Sequence, residues 1–450
     1  MNLGTNNKIQ KKGITLVIPN PCGNIKETKM KNSGIEWIGE IPDDWESIRL
    51  KYIYSTTKAK LPKQFYDDKN LTPYLSMDFI RDSINTEPVY AKDGDYCSEE
   101  DILILWDGSN AGEIVFNHPA GYAPSTTAIL KKLSTQSLPV YDKFYLKALE
   151  DDLRRNTNGM GIPHVNGSYL NNSLFLLPPK STQQRIASYL DKKCSKIEET
   201  IQNQQQVIEK LKAYKQSLIT EAVTGKVKIE NGKACGEYES YKDSGVEWIG
   251  KIPSEWEVKK LKFSSQIMRG LFSHRPRNDP DYYDGVHPFI QTGEVARAVK
   301  YITTYSQTLN ELGFSVSREF PAGTVLLTIA ANVGDVAILD FNACFPDSVI
   351  GFYPKENVSK IFMFYVLKSM KEQFMRNAII STQMNLNINI VKEEFIHLPS
   401  LAEQKEIVKF LEKKSDYIDT AIEQKQNLIE KLTEYKKSLI YECVTGKKEV

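Results

Sequence analysis

One stretch of this chain occurs twice, and everything else has to be arranged around it. Residues 177–226 run from Leu177-Pro178-Pro179 to Val223-Thr224-Gly225-Lys226, and residues 398–447 run from Leu398-Pro399 to Val444-Thr445-Gly446-Lys447. At an offset of 221 the copies share Gln183/Gln404, Ile186/Ile407, Glu209/Glu430, Tyr214/Tyr435, Ser217/Ser438 and Glu221/Glu442. A long internal period constrains the fold before any local signal, because each copy must find cover for the same apolar face.

Both copies read as long helices. Leu190, Ile197, Gln204, Leu211 and Leu218 fall at one heptad position, and Cys194, Ile201, Ile208, Lys215 and Ala222 lie four residues after each. The second copy places Leu411, Ile418, Lys425, Leu432 and Leu439 in the first slot, then Ser415, Ile422, Ile429, Lys436 and Cys443. This is a seven-residue apolar seam sustained over about five heptads. Neither Gly nor Pro interrupts Gln183–Val223 or Ala402–Val444, and good helix formers fill both interiors. Pro178-Pro179 and Gly225 bracket the first, and Pro399 and Gly446 the second, which is start and stop chemistry. About forty residues make a rod on the order of 60 Å long. Two rods of one length and one seam can cover each other. The polar seam members Gln204, Lys215, Lys425 and Lys436 either fix register across the pair or lie at its edge with packed stems and wet charges.

A second repeat precedes each variable block. Asn32-Ser33-Gly34-Ile35-Glu36-Trp37-Ile38-Gly39-Glu40-Ile41-Pro42 and its following Trp45-Glu46 recur as Asp243 to Pro253 with Trp256-Glu257. The expected layout is a polar tail over 1–31, a first block with its lead-in over 32–176, and a first long helix over 177–226. A polar link over 227–242 follows, then a second block with its lead-in over 243–397 and a second long helix over 398–450. The blocks differ in sequence but share landmarks. Ile102-Leu103-Ile104-Leu105 and Val325-Leu326-Leu327-Thr328-Ile329 read as strands, each followed by a Gly turn and a second strand. Residues 145–155 and 366–376 read as amphipathic helices. Each block is thus a mixed α/β globule of ordinary domain size.

Composition excludes several classes. Hydrophobic content of 41% supplies core material and argues against disorder. Fifty-eight basic against fifty-seven acidic side chains leave a net charge of +1, so a nucleic-acid surface has to be local. The six cysteines are scattered without a Cys-x-x-Cys, which argues for reduced thiols rather than a zinc site. No apolar run is long enough to cross a bilayer and no signal peptide is evident, so a cytoplasmic location without membrane contact is expected. Catalytic motifs are missing. Asn70-Leu71-Thr72-Pro73-Tyr74 lacks the tandem prolines of a methyltransferase motif, and the Val-Thr-Gly-Lys endings lack the first Gly of a phosphate loop. Pro280-Asp281 and Pro346-Asp347 lack the downstream carboxylate and Lys of a metal nuclease, and the five histidines do not cluster.

One charge pattern opens both blocks. No acidic residue occurs from Ser47 to Tyr66, which holds Arg49, Lys51, Lys58, Lys60 and Lys63. None occurs from Val258 to Asn278, which holds Lys259, Lys260, Lys262, Arg269, Arg275 and Arg277. Two such runs at equivalent places point to phosphate contact, with Arg able to read guanine edges. The candidates for DNA contact are Lys58, Lys60, Lys63, Asn110, Arg154 and Arg155 in the first block. In the second they are Arg269, His274, Arg275, Arg277, Asn332, Arg376 and Gln383. For the two asparagines a turn role competes with base reading.

At this point the chain resembles a known family, the specificity subunits of type I restriction–modification enzymes. The resemblance is carried by Gly-Ile-Glu-Trp-Ile-Gly-Glu-Ile-Pro…Trp at 34–45 with its copy at 245–256, and by Leu-Pro-Pro…Gln-Gln-Arg-Ile…Leu-Asp-Lys-Lys at 177–193 with its copy at 398–414. The Leu-Ile…Glu-Ala-Val-Thr-Gly-Lys ending at 218–226 and its copy complete it. It implies an α+β chain with two target-recognition globules, separated by an antiparallel pair of long helices with an internal pseudo-two-fold repeat. It also implies no catalysis and no cofactor of its own. Double-stranded DNA would be read as a split, asymmetric target. Two modification subunits would dock on the helices and methylate adenine with S-adenosylmethionine, and two restriction subunits would add ATP- and magnesium-dependent cleavage. Thr382-Gln383-Met384-Asn385-Leu386-Asn387 looks like the family's closing loop. The first block has Gly161-Ile162-Pro163-His164-Val165-Asn166 there, so a contact of Gln383 does not transfer to Ile162. Two competing readings are a protein-binding coiled-coil scaffold, and a methyltransferase or nuclease with unrecognised motifs.

Overall fold

The computed structural model describes residues 29–82, 84–159, 161–380 and 384–450. Nearly all of the tail expected over 1–31, and Gln383, lie outside them. The chain divides into two compact units. One takes the residues up to Gln202 together with Leu428–Val450, and the other is Asn203–Asn427.

In the first unit the Trp-rich lead-in is a hairpin, with Met30–Asn32 antiparallel to Glu40–Pro42. Beyond it, β1 (Tyr54–Lys58), β2 (Ile102–Leu105), β3 (Ile114–Val115) and β4 (Thr127–Lys132) form an antiparallel sheet in the order β3-β2-β4-β1. The continuous apolar run of β2 follows from burial on both faces. Ile102 and Ile104 enter one core with Tyr141, Tyr145 and Leu146, while Leu103 enters a second with Leu75, Cys97 and Ile129. The helix α1 (Pro139–Arg155) supplies those tyrosines and starts with Pro, whose missing N–H costs nothing in a first turn. The long helix α2 (Lys180–Val223) follows.

The second unit repeats the plan. Its lead-in hairpin pairs Tyr241–Asp243 with Lys251–Pro253. The strands β5 (Ser265–Arg269), β6 (Val325–Thr328), β7 (Val336–Leu339) and β8 (Val349–Pro354) stand in the order β7-β6-β8-β5, with Tyr301–Ile302 added parallel to β7. The helix expected over 366–376 is broken into α3 (Lys360–Ser369) and α4 (Lys371–Asn377), with Met370 between them. The long helix α5 (Leu401–Val444) closes the chain. What differs between the units lies between the first two strands of each sheet and beyond them. The first unit has a five-stranded sheet of short strands there, whereas the second has two-stranded pieces such as Tyr283–Pro288 with Thr308–Leu309.

The rods pair antiparallel within each unit. In the first, Leu190, Cys194 and Ile197 share a core with Leu439, Ile440, Cys443 and Val444, and Lys436 Nζ meets the Glu198 carboxylate. In the second, Lys425 Nζ donates to Gln204 Oε1 at 3.0 Å and Lys215 Nζ meets Asp419 at 2.6 Å. The polar seam residues are therefore cross-helix partners rather than a wet edge. Leu190, Ile197, Ile208, Leu411, Ile418 and Leu439 are buried, and Ile201, Leu211, Leu218, Ile422, Ile429 and Leu432 are half-buried. Full burial is worth roughly 1.5–3 kcal/mol for each such side chain. No described helix is long and apolar enough to cross a membrane.

Candidate nucleic-acid interface

The two sheets present one edge in the same way. Lys58 ends β1 opposite Ala128, and Arg269 ends β5 opposite Ile350. Both basic side chains are exposed. Beside each lies the turn that follows the apolar strand, and a closing loop pairs with that turn. In the first unit Asp107 bridges to His164, and Val165 N donates to Trp106 O at 2.9 Å. In the second Ala330 bridges to Asn385, and Leu386 N donates to Ile329 O at 2.7 Å. The closing loops thus hold the same place although their sequences depart from one another.

The side chains on this common frame differ. In the first unit Lys58 Nζ lies 2.9 Å from one Asp107 oxygen and His164 Nδ1 lies 2.6 Å from the other. Partial burial alone would raise the Asp107 carboxyl, but the bonds to Lys58 and His164 outweigh it and hold the group below the usual carboxylate range. Lys60 and Lys63 are exposed, and their backbone N–H groups donate to Asp95 and Asp93 at 2.7 and 3.2 Å. Asn110 makes a turn, its carbonyl accepting from Glu113 N at 3.0 Å. Arg154 packs its stem against Gly112, and Arg155 sits 4.0 Å from Asp152.

In the second unit the arginines converge on Asp347. Arg269 Nε donates to its carbonyl, Arg277 Nη2 to its Oδ1, and Arg275 Nη2 lies 3.5 Å from its Oδ2. Arg275 Nη1 also donates to the carbonyls of Phe272 and His274, both at 2.7 Å, so that guanidinium holds its own loop. His274 is held too, stacked 3.8 Å from Tyr282 and 3.0 Å from Asp279. Asn332 is exposed in a turn, its carbonyl taking the Thr328 hydroxyl, and Arg376 is exposed near the end of α4. Arg269, Arg277, Asp347, Ser348, Asn385 and Asn387 line a cavity of about 560 Å³.

Acids that a linear reading of the basic runs does not place stand beside them. Besides Asp93, Asp95, Asp107 and Asp347, Glu393 bonds both Lys260 and Lys262, whose ammoniums hold its carboxyl down to about 2. Strand pairing and loop docking bring these acids in, and a run along the chain is blind to both. Asp347 of the Pro346-Asp347 pair stands among arginines, where the chain folds Arg269, Arg275 and Arg277 onto it. Among the described residues, no group of three or more His, Cys, Asp or Glu could hold a metal ion.

The comparisons with known proteins agree with this duplicated plan. The family model described as the type I restriction modification DNA specificity domain matches twice, over residues 42–212 and 253–432. The MjaVIII type I restriction enzyme specificity subunit of Methanocaldococcus jannaschii is 28% identical over 407 residues, covering 84% of this chain and 88% of that one. The EcoBI specificity subunit of Escherichia coli is 24% identical over 423 residues, covering 89% and 85%. A chain from a solved type I restriction–modification system, studied for its assembly and conformational transition, superposes with a TM-score of 0.66 at 14% identity, covering 91% of this chain and 99% of its own. Two family matches that together take in most of the residues decide the question: this chain belongs to the type I restriction modification DNA specificity family.

Proposed function

We propose that this chain is the non-catalytic DNA-recognition subunit of a type I restriction–modification complex, working in the cytoplasm on double-stranded DNA. Each unit reads one half of a split, asymmetric target. Two modification subunits bring S-adenosylmethionine and methylate adenine, and two restriction subunits bring the ATP- and magnesium-dependent cleavage. One observation carries the reading. The same sheet edge, turn and closing loop occur twice, yet they hold Lys58, Asp107 and His164 in one unit and Arg269, Ala330 and Asn385 in the other. A constant frame with exchanged polar groups is what two readers of different base sequences need, because the major groove is read by donor and acceptor pattern.

Mapping methylated bases in a host that carries the complex tests this. A bipartite motif with unlike halves is expected, and it should vanish when this chain is deleted. The purified chain incubated with S-adenosylmethionine and DNA alone should leave the DNA unmethylated; methylation without a partner would make it an enzyme. Binding that is independent of both salt and sequence would favour a scaffold instead.

A further inference from the structure

The arginine cluster of the second unit contains an acid that phosphate binding does not require. A side chain meant only for the DNA backbone gains nothing from a carboxylate beside it, since that carboxylate repels the phosphate. A side chain meant for a base edge gains geometry, because an acid on one edge of a guanidinium fixes the plane in which its remaining N–H groups point. Arg277 is in that situation. Its Nη2 is tied to Asp347 Oδ1, and its backbone carbonyl accepts the Tyr283 hydroxyl. The guanidinium is exposed and lines the cavity shared with Arg269, Ser348, Asn385 and Asn387. Arg275 grips the other Asp347 oxygen and spends its own donors on its loop, so Asp347 is itself held in place.

The first unit sharpens the contrast. The turn Pro124-Ser125-Thr126 stands where the second unit has Pro346-Asp347-Ser348, so a hydroxyl replaces the acid. Its basic partner at the sheet edge is Lys58, an ammonium without a planar fork, paired to Asp107 instead. The same place on the two frames therefore offers two different donor patterns.

We propose that Arg277 reads a guanine in the second half-target, donating to its O6 and N7, and that Asp347 is the positioning residue that aims it. This rests on the DNA-recognition reading above. The pair would make that half-target depend on one G·C base pair, with Asn385 and Asn387 beside it for neighbouring edges.

The test uses the assembled complex and duplexes carrying the mapped motif, each with one base pair of the second half changed. The unaltered complex should discriminate roughly five- to one-hundred-fold against a change at one G·C pair. Arg277→Ala should lose that discrimination while every other position keeps its profile. Arg277→Lys should not restore it, because an ammonium lacks the fork. Asp347→Asn keeps Arg277 but should also relax the same position, and it should bind a duplex with a scrambled second half more tightly at low salt. Retained discrimination at the other positions of the second half-target reports that the second unit is folded in each variant. An even loss of affinity at all positions in Arg277→Ala would make the residue a phosphate contact and overturn the proposal. An unchanged profile, or a second half without a G·C pair, would overturn it too. Failure of the unaltered complex to bind by sequence would instead sink the DNA-recognition reading.

Discussion

Gln183 is almost wholly out of solvent and uses both ends of its amide. Its Oε1 accepts from Leu138 N at 2.8 Å, and its Nε2 donates to the carbonyls of Pro178 and Gln136 at 2.8 and 3.3 Å. Gln404 does the same with Ser359 N, Pro399 O and Asn357 O at 2.8, 3.0 and 3.0 Å. This glutamine staples the start of α2 to the start of α1 and the start of α5 to the start of α3. Gln183→Leu or Gln404→Leu leaves buried backbone groups without partners and should cost about 3 kcal/mol of that unit's stability. Urea unfolding of each variant measures it, and a loss under about 1 kcal/mol would contradict the staple. His397 is a second case. It is buried and its ring stacks on Trp256, with centroids 5.8 Å apart, where the first unit has Leu176. Burial pushes its pKa from the usual 6.5 down to about 4. Between those values the unfolded chain binds a proton that the folded chain refuses, so stability is full above the usual value and falls as the pH drops toward 4. The second unit should lose about 3 kcal/mol over that window, and His397→Leu should flatten the dependence. Hydrogen exchange at pH 4.5 and 7 would show it, and equal slopes in both proteins would count against this account.

The rods end by one device used twice. Lys226 N donates to Glu221 O at 3.0 Å and Lys447 N to Glu442 O at 2.9 Å, across Gly225 and Gly446 at φ +70° and +72°. This six-residue loop with a left-handed Gly is the helix stop that the Val-Thr-Gly-Lys endings predict. The glycines do more than stop a helix. A Cβ at Gly225 would lie 2.4 Å from Pro253 Cδ, and one at Gly446 would lie 2.3 Å from Pro42 Cδ. Ala at either position combines backbone strain with a clash and should destabilise its unit by about 3 kcal/mol, read as a lowered unfolding midpoint. The seam gives the opposite sign. Gln204 and Lys425 meet inside a mainly apolar seam, at a cost in stability. The double variant Gln204→Leu/Lys425→Leu should melt higher than the parent, and a lower melting temperature would mean that the pair contributes net stability.

At the scale of the whole molecule, each unit is assembled from distant parts of the chain. The end of α5 supplies Leu439, Ile440, Cys443 and Val444 to the core that holds Trp45, while the end of α2 supplies Ile219, Ala222 and Val223 to the core that holds Trp256. A chain ending at Asn427 loses the first set. Four buried apolar side chains contribute roughly 6–12 kcal/mol, comparable to the whole stability of a domain. Limited proteolysis should then cut the first unit readily while leaving the second intact, and an equally resistant first unit would refute this crosswise construction. The two rods, their seam, their stops and the apolar strands at Ile102 and Val325 are legible along the chain. Those depend on period, on helix-breaking residues and on local hydrogen bonds, all of which are properties of neighbours in the chain. Which rod end closes which unit, and the placing of Asp107 and Asp347 against the basic edges, emerge only in the folded chain. Both are contacts between residues tens to hundreds of positions apart, and no local pattern encodes them.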